Sequence, residues 1–210
     1  MSSTLTRVLS ALVLLPLMLA LIWRAPADIF QFVLAAVLGV AGAELWRMVK
    51  PAPVWLAALV IYVALPLATL AGIRNLYGPG VLLIMIGIIV ISDSAQYFTG
   101  RAFGRRKLAP SISPKKTVEG AVGGLIFGVI AGVWLARVWL PAVPAVAIAG
   151  ASVAVAVAGM AGDLFESWLK RRVNLKDSGN LIPGHGGILD RIDSWLFAAP
   201  VFLLCLKLIA

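Results

Sequence analysis

The sequence predicts an all-α, polytopic transmembrane helix bundle of about seven spans, with the N-terminus cytoplasmic. Three observations predict it. The 210-residue chain is 61% apolar and only 13% charged, with a mean hydropathy of +1.01, whereas soluble domains carry roughly 25% charged residues. Apolar runs of about 20 residues, enough to cross a ~30 Å hydrocarbon slab, recur along the whole length. Lys and Arg gather in alternate segments between those runs, the bias that orients membrane proteins.

Each run ends at helix breakers, because proline removes a backbone donor and glycine frees the backbone. The first, Leu5 to Trp23, stops before Pro26, and the second, Ile29 to Val49, before Pro51 and Pro53. Gly78-Pro79-Gly80 parts the third, Val54 to Gly72, from the fourth, Val81 to Phe98. Pro110 and Pro114 precede the fifth, Val118 to Leu140, and Pro141 with Pro144 mark the passage to the sixth, Val143 to Phe165. Pro183-Gly184 precede the last, Ile192 to Ile209. The first run also reads as a signal peptide, since Arg7 precedes it and Ala25-Pro26-Ala27 resembles a cleavage site. Its length, beyond the ~7–15 residues of a signal-peptide core, favours a retained span. The small residues of Ala145 to Gly162 read as close helix packing.

One side collects Arg7, Arg47, Lys50, six basic residues from Arg101 to Lys116 and five from Lys170 to Arg191, fourteen in all, against Arg24, Arg74, Arg137 and Lys207 on the other. This places the polar segments Gly100 to Thr117 and Lys170 to Asp190 together on the cytoplasmic face of a multi-pass membrane protein. The net charge of +9 is dispersed over short segments, which argues against a nucleic-acid partner. Such a surface suits the anionic headgroups of membrane lipids or nucleotide phosphates. The one cysteine, Cys205, lies in the last run, so neither a disulfide framework nor a thiolate metal cluster is available.

Seven of the nine acidic residues (Asp93, Glu119, Asp163, Glu166, Asp177, Asp190, Asp193) fall at the cytoplasmic ends of spans four to seven or in the segments between them. Carboxylates at an apolar helix end are costly unless paired or bound to a cation, so they read as a site, with simple solvation at the interface as the alternative. Asp163 and Glu166 share a helix face, with Lys170 one turn further, and an i,i+4 ion pair explains Glu166 equally well. Asp163, deep in the apolar run, has no such partner. Asp190 and Asp193 repeat the spacing around Arg191, and the two pairs facing each other would offer oxygen ligands to a divalent cation. Asp93, Gln96 and Tyr97 form a polar notch that reads either as part of the site or as a helix-packing cluster.

The segment Gly100 to Gly120 mixes cations, hydroxyls and glycines, a composition suited to phosphate. For Arg105 and Arg106 contact with anionic lipid is the simpler reading. Lys115, Lys116 and Thr117, before a predicted helix N-terminus with free N–H groups, read as phosphate ligands. His185, the only histidine, sits among Pro183, Gly184, Gly186 and Gly187, and reads either as a hydrogen-bonded structural residue or as a ligand contact beside closely approaching backbone.

Ser167, Lys170, Arg171, Lys176, Asp177, Pro183 to Gly187, Asp190, Arg191 and Asp193 stand at spacings that resemble the signature of the phosphatidate cytidylyltransferase (CDP-diacylglycerol synthase) family. Asp93 to Gly104 and Ile112 to Gly120 are similar to two further family segments. The resemblance implies transfer of the cytidylyl group of CTP to phosphatidate, giving CDP-diacylglycerol and pyrophosphate, by a homodimer in the bacterial inner membrane. It implies Mg²⁺, with a second monovalent ion, commonly K⁺, beside it. Asp163 and Asp190 match the metal carboxylates, with Asp193 and Glu166 as further candidates. Lys170, Arg171, Lys176 and Arg191 complete the expected catalytic set, and Lys115, Lys116, Thr117, Asp93, Ser167, His185, Gly186 and Gly187 the substrate contacts. Residues 1–80 are expected to form a lipid pocket or dimer contacts and residues 81–210 the catalytic region, although bacterial members usually have more N-terminal spans than this chain. A CTP-dependent polyprenol or phytol kinase and a membrane transporter are the rival readings; a transporter places its polar groups at the midplane rather than at one interface.

Overall fold

The computed structural model describes residues 3–49, 52–181 and 186–209. The calls for His185, Pro183, Gly184, Lys50 and Pro51 lie outside the described residues. The elements are α1 (Ser3–Arg24), α2 (Ala27–Met48), α3 (Ala52–Ala58), a π-helical turn (Leu59–Ala64), α4 (Leu65–Tyr77), α5 (Pro79–Phe103), β1 (Lys107–Ala109), β2 (Ser113–Thr117), α6 (Val118–Trp139), α7 (Ala145–Arg172) and α8 (Leu189–Ile209).

All seven expected runs are helical, and among the described residues six helices are long and apolar enough to cross a membrane. In α1 the shorter stretch Leu12–Arg24 is the described apolar part. Within the six, only 28% to 44% of the most apolar window is buried inside the protein. Leu17, Phe32, Ile61, Trp134 and Leu208 are exposed, as expected of faces solvated by lipid tails. The third span is interrupted by the π turn just before Pro66. Proline lacks the N–H and its ring crowds the carbonyl four residues back, and a local π adjustment accommodates both.

The core lies where α2, α4, α5, α7 and α8 meet, around Leu45, Ile73, Met85, Val155, Leu196 and Phe202. Helices α5 and α6 pack so closely that a Cβ on Gly124 would lie 2.8 Å from the Ser92 carbonyl oxygen, and one on Gly123 2.3 Å from Thr99 Oγ1. Small residues at such contacts let helix backbones approach, which drives association where lipid removes the hydrophobic incentive. Gly162 does the same between α7 and α8, where a Cβ would lie 2.5 Å from the Asp193 carbonyl oxygen. That contact brings Asp163 and Asp193 to one level.

Both polar segments are shorter than expected. Helix α5 continues through Gly100 to Phe103, α7 through Lys170 to Arg172, and α8 begins at Leu189, so Asp190 and Arg191 are helical. Basic residues in the last turns of α5 and α7 complement the negative end of the helix dipole and support those extensions. The first polar segment also contains an element outside the all-α expectation, a small antiparallel hairpin pairing Lys107 with Thr117 and Ala109 with Ser113. Its turn is closed by the Ile112 N–H donating to the Ala109 carbonyl at 3.2 Å.

Candidate functional site

A cavity of about 600 Å³ opens at the end of the bundle where this hairpin and the α7–α8 connection meet. Four helices and β2 line it. From α5 come Asp93, Gln96, Tyr97 and Arg101; from β2, Lys115, Lys116 and Thr117. Helix α7 supplies Asp163 and Lys170, and α8 supplies Asp190, Arg191 and Asp193. Asp177 reaches the rim from the connection. Nine of the predicted site residues therefore share one cavity: Asp93, Lys115, Lys116, Thr117, Asp163, Lys170, Asp190, Arg191 and Asp193.

Two charge networks organise it. In the first, Lys116 Nζ pairs with Asp163 Oδ2, and Ser167 Oγ lies 3.4 Å from Asp163 Oδ1 as a long donor. The Asp163 side chain keeps 30% exposure, so its carboxylate retains acceptor capacity toward the cavity. Gln96 Nε2 donates to Asp93 Oδ1 at 3.0 Å, and Arg101 donates to the Tyr97 hydroxyl at 3.1 Å.

The second network is buried. Lys170 Nζ pairs with Glu166 Oε2 and lies 2.5 Å from Asp190 Oδ1. An ammonium has three donors, so one remains for the cavity it lines. Asp190 Oδ2 accepts from the Ser178 N–H at 2.9 Å, the Ser178 hydroxyl at 2.9 Å and the Gly187 N–H at 2.8 Å. Glu166 is fully buried, and its Oε1 has no hydrogen-bond partner among the described residues.

Several expected residues play other parts. Thr117 Oγ1 accepts the Gly120 N–H at 3.1 Å and so caps α6, while the Val118 N–H is spent on the Arg106 carbonyl. The helix N-terminus expected to offer free amides is therefore partly closed, because a threonine before a helix is a strong capping residue. Glu119 fastens the hairpin instead, accepting from the backbone N–H groups of Arg105 and Arg106 at 3.0 and 3.2 Å. Arg171 turns away from the cavity, donating to the carbonyls of Leu175 at 2.8 Å and Ile112 at 3.4 Å. Lys176 is exposed and does not line it.

Gly186 and Gly187 lie against carboxylates. Gly186 has φ +82° and a Cβ there would lie 2.6 Å from Asp190 Oδ2, so only glycine fits both the conformation and the space. The carboxylate that sequence reasoning missed is Glu44 of α2, buried at 5% exposure. It accepts the Ile188 N–H at 3.0 Å, the Leu189 N–H at 2.9 Å and the Ser178 hydroxyl at 2.9 Å. The signal was present: a carboxylate inside an apolar run is the same anomaly that singled out Asp163.

The donor chemistry fits a hard cation with phosphate. Mg²⁺ is usually held by one or two carboxylates together with phosphate oxygens and water, not by an all-protein cage. Among the described residues no three His, Cys, Asp or Glu side chains converge into such a cage. Asp163 with its spare capacity, Asp190 through Oδ1, which among the described residues meets only Lys170, Asp193 in the same cavity and the unpartnered Glu166 oxygen are oxygen donors of the required kind.

The sequence model of the "Cytidylyltransferase family" matches residues 52–209. The chain is 44% identical over 151 residues to the phosphatidate cytidylyltransferase of Bacillus subtilis, covering 70% of this chain and 56% of that protein. It is 37% identical over 193 residues to that of Pseudomonas aeruginosa, covering 89% and 66% respectively. With the enzyme of Thermotoga maritima the identity is 38% over 156 residues, covering 71% and 57%. The chain spans between about half and two thirds of the length of these relatives.

Proposed function

This chain belongs to the cytidylyltransferase family, and from that premise we propose that it transfers the cytidylyl group of CTP to phosphatidate, releasing pyrophosphate and forming CDP-diacylglycerol. The observation that carries the reading is a cavity at one end of an apolar bundle, lined together by Lys115, Lys116, Lys170, Arg191, Asp93, Asp163 and Asp193. A cavity at that level admits a soluble nucleotide from one side and a lipid headgroup from the other. The positive-inside count supports a cytoplasmic opening in the bacterial inner membrane.

In the reaction a phosphatidate oxygen attacks the α-phosphorus of CTP and the bond to the β-phosphate bridging oxygen breaks, so pyrophosphate leaves. The attacking phosphomonoester has a second pKa of about 6 and is already largely ionised at neutral pH, so no strong general base is required. What the protein must supply is proximity between two polyanions and compensation of charge on the leaving group. Lys170 is suited to the second task, because Glu166 and Asp190 fix its ammonium while one donor stays available. Lys115, Lys116, Arg191 and Arg101 are mobile or forked cations for the remaining phosphate oxygens. Asp163 and Asp190, with Asp193 and Glu166 close by, would hold Mg²⁺, which when bound neutralises triphosphate charge and orients the α-phosphorus. A K⁺ ion beside it and a homodimeric assembly belong to the same proposal.

The test is incorporation of CTP labelled in the cytidine and α-phosphate into phosphatidate vesicles, with and without Mg²⁺. The expected products are a cytidylated lipid and pyrophosphate. CDP with a phosphorylated lipid would identify a lipid kinase, and no incorporation into any phospholipid acid would overturn the reading.

A further inference from the structure

Glu44 lies in α2, before the stretch that matches the family model, and no step above uses it. Yet its carboxylate is built into the connection that carries Asp190. Two amides at the start of α8 and the hydroxyl of Ser178 all donate to it. Two glycines leave room for it: a Cβ on Gly179 would lie 2.4 Å from Glu44 Oε1, and one on Gly187 2.5 Å from both Glu44 oxygens. A carboxylate placed on the first amides of a helix satisfies donors that would otherwise be orphaned and complements the positive end of the dipole.

The Ser178 hydroxyl is the link to the cavity. It stands 2.9 Å from Glu44 Oε2 and 2.9 Å from Asp190 Oδ2, and its one proton serves a single acceptor at a time. The two carboxylates are thereby held about one hydroxyl apart, one on each side of the connection. Glu44 accepts from the first turn of α8, and Asp190, in that same turn, receives Lys170.

We infer that Glu44 is a positioning residue of the nucleotide site: acting through Ser178 and the amides of Ile188 and Leu189, it holds Asp190 and Lys170 in register with the cavity. The inference rests on the cytidylyl-transfer reading. It also assigns the segment before residue 52 a share in the headgroup chemistry, beyond a lipid pocket or dimer contact.

The experiment compares the full chain in detergent with Glu44→Ala and Glu44→Gln. Hydrogen exchange of the Ile188 and Leu189 amides, measured without nucleotide, reads the hold on the connection independently of activity. Steady-state kinetics read kcat, the KM for phosphatidate and the Mg²⁺ concentration at half-maximal rate. In Glu44→Ala those amides are expected to exchange at least about tenfold faster while α5 and α6 keep their protection. Turnover is expected to fall about 10–100-fold, the usual consequence of losing an outer partner of a ligand, with a raised Mg²⁺ requirement and an unchanged KM for phosphatidate. Glu44→Gln, which keeps one acceptor oxygen, is expected to recover part of both effects, and it supplies the same two readings should the alanine variant not fold.

Unchanged exchange would overturn the inference, and so would faster exchange with kcat and Mg²⁺ requirement within about twofold of the parent. A loss matched by lowered protection throughout α5 and α6 would make Glu44 a fastener of the fold alone and would overturn it as well. If the parent protein forms no cytidylated lipid, the reading beneath fails and the inference with it. The exchange arm distinguishes that outcome, since the amides would still respond to Glu44.

Discussion

Charge is buried at both ends of this bundle, and the two ends use it differently. At the end away from the cavity, Arg74 of α4 is buried and donates to the carbonyls of Ile22, at 2.8 Å, and Ala25. Its guanidinium also lies 4.6 Å from the centroid of the Phe30 ring. Those carbonyls are the orphaned acceptors at the C-terminus of α1, so Arg74 fastens the α1–α2 turn to α4. At the cavity end, Lys170 meets Glu166 and Asp190 with a donor to spare, and Asp163 meets Lys116 while staying 30% exposed. A buried charge whose partners are backbone carbonyls and an aromatic ring fastens the fold; one that meets carboxylates while lining a cavity marks chemistry.

Lys170→Met tests that distinction most severely, because it removes one cation from two carboxylates. Breaking a buried pair from one side costs about 3–5 kcal/mol, here read as a lowered midpoint of thermal unfolding in detergent. Turnover of the surviving folded fraction is expected to be lost as well. A variant with parental turnover per folded molecule would reduce Lys170 to the same class as Arg74.

Asp163→Asn comes next. It keeps shape and leaves the fold intact, so the midpoint should stay near the parent while CTP incorporation falls by roughly 10²–10³-fold, as for loss of a principal electrostatic group. Asp190→Asn is expected to be equally inactive but less stable, since an amide nitrogen turned toward the donors of Ser178 and Gly187 repels them. Equal stability of the two variants would break the assignment of Asp190 to the connection.

The same contrast explains what the sequence could reveal. Apolar runs and their breakers placed every helix, because lipid leaves the backbone few alternatives. Spacing brought Asp163, Lys170, Asp190 and Asp193 to one cavity, since i,i+3 and i,i+4 positions share a face. The π turn before Pro66 and the small hairpin were not legible, as both answer to local satisfaction of the backbone without a periodic signal. Glu44 escaped for another reason: its partners lie 134 to 145 residues away, and only packing brings them together. Arg171 and Thr117 carried the right chemistry for phosphate, but nearer backbone groups use them.

Arg74→Met probes the opposite end. Leaving the buried Ile22 carbonyl and the half-buried Ala25 carbonyl without a donor is expected to cost about 2 kcal/mol, seen as a lower unfolding midpoint. At temperatures where the variant is folded, kcat and the KM for CTP should match the parent. A change in either constant would mean that the far end communicates with the cavity and that the division between fastening and chemistry is too sharp.

Lys116→Ala has the smallest expected effect and bears most directly on the proposed binding of nucleotide in the cavity. Lys116 is held from one side only, by Asp163, and its side chain keeps 19% exposure, so its loss leaves no deeply buried charge behind. Thermal stability should barely move. With one fewer cation for the triphosphate, the KM for CTP is expected to rise about tenfold, or roughly 1.4 kcal/mol, and the KM for phosphatidate to hold. Because the interaction is partly exposed, added salt should narrow the gap between variant and parent. An unchanged KM for CTP would return Lys116 to a structural partner of Asp163, and a raised KM for phosphatidate alone would move it from the nucleotide to the lipid headgroup.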